Sequence, residues 1–318
     1  MRPAYLAIWL TFARNSLVRD LTFRANFLIQ CVSSLSWTLM NVGFYLIVFS
    51  VTDRIGVDTG WGRWEFFVFL ATTMLVNSAV ETFFMPNAEE FSELIRTGGL
   101  DFALLKPVDT QFLISLRKMD WSSLTNGAVG LVLLGVSLYQ LSCPKPPAPS
   151  VVAAAVEAEE LNSEAKAELV QADLSPTTTE REEPLYVGPV QVVLYVAFLA
   201  CGVAIMYSLT IALAATSIWL GRNQNLYDFW FYITNFSRYP MEIYWRGWGV
   251  PLSATLTFLI PVLLVVNVPA RVLARPLHPQ AWWEIPLMLF ALLAAPACLF
   301  VSRQIFRAAL RSYRSASS

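Results

Sequence analysis

Long apolar stretches recur along this chain, and short segments carrying Arg, Gly or Pro separate them. About 20 mainly apolar residues in a helix suffice to cross the hydrocarbon of a bilayer. Stretches of that kind lie at about 25–50, 64–85, 113–141, 190–220, 247–266 and 282–301. Charged residues make up only 14% of the chain, whereas soluble domains carry about 25%. The pattern predicts an all-α membrane protein with six transmembrane helices.

Residues 1–24 precede the first span. Tyr5, Ile8, Trp9, Phe12 and Leu17 share one helical face, and Arg2, Arg14, Arg19 and Arg24 are spread among them. This suits an N-terminal interfacial helix with its aromatics inward and its guanidinium groups on lipid phosphates. The region 25–141 holds spans one to three, with a loop at 87–112. The first span is polar for a lipid-facing helix: Asn26, Gln30, Ser33, Ser34, Ser36 and Asn41 lie along it, so several should face protein or a cavity. Residues 142–189 break the pattern with Pro144, Pro146, Pro147 and Pro149, an Ala/Glu-rich run and a Thr cluster, the composition of an acidic low-complexity insert. Spans four to six occupy 190–302. Within them the aromatic-rich stretch from Leu226 to Ile243 reads as interfacial. The piece from Val262 to Arg275, near Pro261, Pro269 and Pro276, reads as a broken or re-entrant segment before the last span. A basic tail, 303–318, ends the chain.

Fifteen of the 22 basic residues fall on the side that six spans would give to both termini. The positive-inside bias then makes this a multi-pass protein of the cell (inner) membrane with both termini and the 87–112 loop cytoplasmic.

That loop is the least membrane-like part of the chain's first half. Asn87 to Arg96 reads as a short amphipathic helix after a break at Pro86. Asn87 would be its cap, Glu90 would close a capping box, and Arg96 would face the negative end of the helix dipole. Gly98 and Gly99 supply a left-handed stop. Phe91, Leu94 and Ile95 fall on one face. Such a helix either lies on lipid or docks a soluble partner.

The run Arg96-Thr97-Gly98-Gly99-Leu100-Asp101-Phe102-Ala103-Leu104-Leu105-Lys106-Pro107-Val108-Asp109, continuing to Leu113, resembles the intracellular-loop motif of ABC exporter permeases of the second type (ABC-2). A second block, Phe236-Ser237-Arg238-Tyr239-Pro240 with Tyr244 and Leu256 to Pro261, is similar to the same family, and the likeness spans the chain except for about 142–189. Gly99 stands where an acidic residue is common. The resemblance implies a permease subunit that forms the substrate pathway as a dimer with a second permease chain, identical or similar. A separate ABC ATPase, which holds ATP and Mg, would drive it. It implies that 87–112 contains a cytoplasmic coupling helix. Glu90, Phe91, Leu94, Ile95, Arg96, Gly99, Leu100, Asp101, Lys106 and Pro107 would then dock the ATPase, with Phe91, Leu94 and Ile95 in an apolar groove. Asn41, Asn77 and Tyr207 are candidate pathway residues.

The chemistry absent from the sequence agrees. There is no Gly-x-x-x-x-Gly-Lys-Ser/Thr phosphate loop, so the chain has no ATPase motif of that kind and no cofactor of its own is expected. The single histidine, His278, forms no catalytic constellation. Cys31, Cys143, Cys201 and Cys298 lack metal-ligand spacing; Cys31, Cys201 and Cys298 lie in apolar runs and read as small buried hydrophobes, while Cys143 sits at the surface. No basic block interleaved with aromatics points to nucleic acid. The alternative function is a stand-alone multi-span protein acting on membrane lipid, as enzyme or scaffold.

Overall fold

The computed structural model describes residues 4–52, 54–55, 61–143, 186–221, 231–245, 247–275 and 283–314. The acidic insert's 144–185, His278, Arg222 and Arg246 lie outside the described residues.

Among the described residues the structure is helical, with no named strand. Helix α1 covers Tyr5–Thr22, and a one-residue break at Phe23 leads into α2, Arg24–Val51. Next come α3, Arg63–Phe83, and α4, Met85–Arg96. The short helices α5, Gly99–Leu104, and α6, Thr110–Leu116, form the loop back to α7, Leu124–Ser142. Then follow α8, Pro189–Ala215, and α9, Ser217–Leu220. Helix α10, Gly249–Ala254, runs into a π-helical turn at Thr255–Leu259; α11 is Val262–Ala274 and α12 is Glu284–Ser312. Among the described residues five helical runs are long and apolar enough to cross a membrane, Arg24–Val51, Arg63–Arg96, Trp121–Ser142, Pro189–Leu220 and Glu284–Ser312, and a bent pair, Gly249–Leu259 with Val262–Ala274, would make six if it counted as one span.

Two expectations about breaks change. The break expected at Pro86 falls at Phe84, between α3 and α4, but the helical run goes on past it to Arg96. Pro86 sits in the first turn of α4, where its missing N–H has no helical acceptor to lose. The run of 34 residues from Arg63 to Arg96 is about 51 Å long at 1.5 Å per residue. A hydrocarbon core is about 30 Å thick, so α4 projects out of it. The end of the bundle it reaches also holds α1 and the C-terminal half of α12; this is the basal end, and the other is the distal end.

The expected fifth span also changes. Leu220 and Gly221 close α9 at the basal end, against α4 and α12. Glu242 lies at the distal end, where it accepts from Trp61 Nε1 at 3.1 Å and pairs with Arg271. The chain therefore changes ends between Gly221 and Glu242. The expected fifth span, 247–266, does not cross. Trp245 stacks edge-on with Trp283 at the distal end, and Phe258 packs on Phe290, two turns into α12. The helix bends by 86° before Val262, and α11 returns to place Arg271 and Arg275 beside Glu284. Pro261 at the bend makes that reversal possible, and the segment is a re-entrant hairpin entered and left at the distal end.

Helix α11 is buried along its whole length, as irregular backbone at membrane depth must be. It lies against α8 so closely that a Cβ on Gly202 would stand 2.6 Å from the Val265 carbonyl oxygen. Gln191 of α8 donates to the Val272 and Arg275 carbonyls at 3.4 and 3.1 Å, satisfying the end of α11. Asn267 holds the chain before the hairpin by accepting from Met241 N at 2.8 Å. The main core gathers Phe66, Phe67 and Phe69 of α3 with Phe198 and Ile205 of α8 and the apolar residues of α11. Cys31, Cys201 and Cys298, expected to be buried, are free and only partly covered, since their helices turn those faces outward; Cys143, just past the end of α7, is partly covered too.

Arg271 is 3% exposed and meets Glu242, Glu284 at 3.5 Å, and the faces of Trp61 and Trp283. Removing one member of a buried ion pair strands the partner charge and costs about 3–5 kcal/mol. Arg271→Met should therefore lower the unfolding midpoint of the detergent-solubilised chain sharply. An unchanged midpoint would mean that the cluster contributes nothing to holding the hairpin.

Candidate functional site

The basal loop is built on α4, α5 and α6. Asn87 is not the helix cap expected from its position. It is buried in the first turn of α4, where its Nδ2 donates to the Lys118 carbonyl at 2.7 Å and its Oδ1 accepts from Lys118 N at 2.8 Å. This two-way amide bond pins the loop's return to the loop's start. Glu90 closes no capping box; it reaches the Lys118 ammonium at 2.6 Å. Both residues are drawn away from local capping by a strand of chain some 30 positions on. Arg96 is exposed and pairs with Glu93 at 2.6 Å, one helical turn back. Gly98, at φ +71°, makes the left-handed stop; Gly99 does not share it but opens α5, tucked against Leu94.

The apolar face of α4 does not point to a partner. Phe91 is fully buried, its ring 5.8 Å from that of Phe306 on α12. Around it lie Ala88, Leu100, Ile114, Ile211 and Ala214, with Ile95 at the edge and Leu94 half-buried. The helical periodicity was real, but α8 and α12 cover the face it defines. The groove-filling role expected of Phe91 and the exposure expected of Leu100 are thus corrected. Asp101 lies half-buried in the first turn of α5, while Lys106 and Pro107 are exposed.

What the loop offers outward is its tip. Phe102 is 72% and Leu105 82% exposed, with Leu104 beside them. Sequence reasoning passed over these residues. The available signal was that a six-residue helix cannot bury every apolar side chain of Leu-Asp-Phe-Ala-Leu-Leu.

Behind the tip a polar network joins three elements. Asp109 caps α6 by accepting from Phe112 N at 3.0 Å. Its carboxylate is held in a forked pair by Arg303 of α12, whose Nη1 lies 2.8 Å from Oδ1 and whose Nη2 meets Oδ2. The same guanidinium donates to Gln111 Oε1 at 2.9 Å. Gln111 Nε2 then donates to the Tyr207 hydroxyl of α8 at 3.0 Å, and Ser115 Oγ is also 3.0 Å from it. The Tyr207 ring packs on Phe84, at the α3–α4 junction, with centroids 4.7 Å apart. Tyr207 is therefore tied to the loop. Asn41 turns its amide back to the Trp37 carbonyl at 2.9 Å, and Asn77 is half-buried in α3.

Phe91→Ala should cost about 3–5 kcal/mol of stability, measured as loss of folded, monodisperse protein on heating; a mutant as stable as wild type would contradict its core position. Arg303 holds the Asp109 carboxyl below its usual value. The pair's contribution is thus complete above about pH 4 and is lost as pH falls toward the lowered folded value. Asp109→Asn should flatten the acid side of the curve of unfolding midpoint against pH. The change should be modest, because the carboxylate is partly solvated.

Comparison with known families gives a match to the family described as "ABC-2 family transporter protein" over residues 35–157 and 149–317. No curated protein and no solved structure matches the chain. The two matched segments take in the basal loop, the re-entrant hairpin and the last span, so the chain belongs to the ABC-2 family transporter proteins, the membrane components of ABC transporters.

Proposed function

We propose that the chain is the permease subunit of an exporter and pairs with a second permease chain, identical or similar. An ABC ATPase subunit carrying the ATP and Mg would drive it by docking on the tip of the basal loop. The observation that carries this reading is the pair of bare apolar side chains, Phe102 and Leu105, flanked by exposed Lys106 and Pro107. Helix α4 extends about 18 Å past α3, which lifts the tip beyond the hydrocarbon. An apolar tip in water marks an interaction site. The chain itself has no phosphate-binding loop, so work must enter from another subunit.

The network behind the tip supports transmission. A push on α5 and α6 meets Asp109, Arg303 and Tyr207, and through them α12 and α8. Asn87 and Glu90, both bonded to Lys118, make the loop stiff. The orientation goes with this reading. The basal end, with Arg303, Arg307 and Arg311 on its last helix, faces the cytoplasm of the inner membrane.

Burying a Phe or Leu side chain contributes about 1.5–3 kcal/mol. Phe102→Ala with Leu105→Ala should weaken ATPase binding on the order of a hundredfold or more, while the unfolding midpoint stays near wild type. The check is co-purification and titration of the ATPase onto the permease in nanodiscs. A folded double variant that binds the ATPase like wild type sinks the docking assignment.

A further inference from the structure

Helix α2 crosses the membrane with more amide and hydroxyl groups than lipid tolerates, and the structure accounts for only some of them. Ser34 and Thr38 donate to Asn126 Oδ1 at 2.8 and 2.5 Å, and Asn41 bonds within its own helix. Asn26, Gln30 and Ser33 remain exposed, without a hydrogen bond to the described residues. Their spacing of four and three puts them on one face, over about 13 Å of helix from Arg24 to Ser33. An amide facing hydrocarbon without a partner costs several kcal/mol, so this face is not a lipid surface.

The foot of that face opens into a cleft of about 420 Å³, within the size range of ligand pockets. Asn26 and Gln30 form one wall, Arg19 and Asp20 of α1 another, and Glu81, Glu89 and Asp120 the far side. The cleft lies at the N-terminal end of α2, between α1, α2 and the α3–α4 run. Above it the same face of α2 turns apolar through Trp37, Met40 and Phe44, all exposed.

Charge selects what fits. Four carboxylates line the cleft against one cation, and Arg19 is already paired with Asp20 at 3.2 Å. Asp120 is engaged in capping, since it accepts from Ser122 N at 3.0 Å. That leaves Glu89, and Glu81, whose carboxylate already accepts a hydrogen bond from Asn126 and has Arg238 within electrostatic reach, as the charges that face a ligand. A phosphate or sulfate head would meet net repulsion; an ammonium head would be attracted.

We propose that this cleft is the entry site for the exporter's cargo, and that the cargo is an amphiphile with an amine-bearing or quaternary ammonium headgroup. The head enters sideways from the basal leaflet, sits between Glu81, Glu89 and the Asn26 and Gln30 amides, and moves up the polar face of α2. The chain stays in lipid against Trp37, Met40 and Phe44. This rests on the export reading above and adds its substrate class.

The experiment has two arms. In the first, the full chain without ATPase is placed in nanodiscs. Binding of labelled hexadecyltrimethylammonium is compared with that of hexadecyl sulfate, with empty nanodiscs as blank. Saturable binding of the cation alone is expected. It should weaken at least about tenfold, roughly 1.4 kcal/mol, in Glu81→Gln/Glu89→Gln and in Gln30→Leu, whose exposed position leaves folding intact. Equal binding of the sulfate, or variants that bind the cation like wild type, would overturn the proposal. In the second arm, the permease–ATPase complex is assayed for ATP turnover. The cation should stimulate wild type and not the variants. Binding without stimulation would identify a resident lipid site and overturn the assignment to cargo. If no ATPase joins the chain, the export reading fails, while the first arm still tests the cleft.

Discussion

Arg271 is the charge around which the distal end is arranged. A guanidinium buried beneath a membrane surface is tolerable only with carboxylates and aromatic faces at contact distance. Here Glu242 comes from the chain before the hairpin, Trp61 from just before α3, and Trp283 and Glu284 from the start of α12. Three separate segments, around Trp61, Glu242 and Trp283–Glu284, must therefore converge on one side chain of α11. Buried ion pairs are weak sources of stability, but they are strict about position. The pair fixes where α11 stops, and the Gly202–Val265 approach fixes how close it lies. Between these two constraints the re-entrant hairpin has a single seat.

The basal end is arranged on a different principle. Its polar groups join the loop to the spans instead of closing a hairpin. Arg303 serves Asp109 and Gln111 together, and Gln111 passes the contact to Tyr207. A forked guanidinium–carboxylate pair resists rotation as well as separation. With Phe91 locked against Phe306, α4 cannot shift without carrying α12. The loop is thus mechanically continuous with the spans, and only its tip is free to meet another protein.

The apolar runs made the membrane class, the short amphipathic helix before Gly98 and the irregular segment before the last span legible without coordinates. Each of these depends on local pattern: length, period, or a residue that permits positive φ. The errors share a cause as well. Phe91, Leu94 and Ile95 do form a stripe, but period says that a face exists and not what lies against it; Phe306 is more than 200 positions away. Asn87 and Glu90 have the right types for a capping box, yet Lys118 offers them better partners. The run 247–266 is as apolar as a span, and what turns it back is a bend at Pro261 stabilised by burial against α3 and α8. The Asp109–Arg303 pair joins positions 194 apart and had no local signature.

The two ends differ in what their polar groups still need. At the distal end Arg271, Arg275, Glu242 and Glu284 hold one another, and the net charge of the four is zero. At the basal end Asn26, Gln30 and Ser33 face outward, and carboxylates outnumber cations in the cleft. Unmet polar demand in a membrane has to be filled by water, a neighbouring chain or a ligand's head. In this arrangement the molecule can accept a polar head at the basal boundary while its distal hairpin stays seated. Freeing that hairpin means separating paired charges in a medium where separation is expensive. An external energy source working through the basal loop, α12 and α8 acts on the helices that bracket the hairpin, because α12 supplies Glu284 and α8 supplies Gly202 and Gln191.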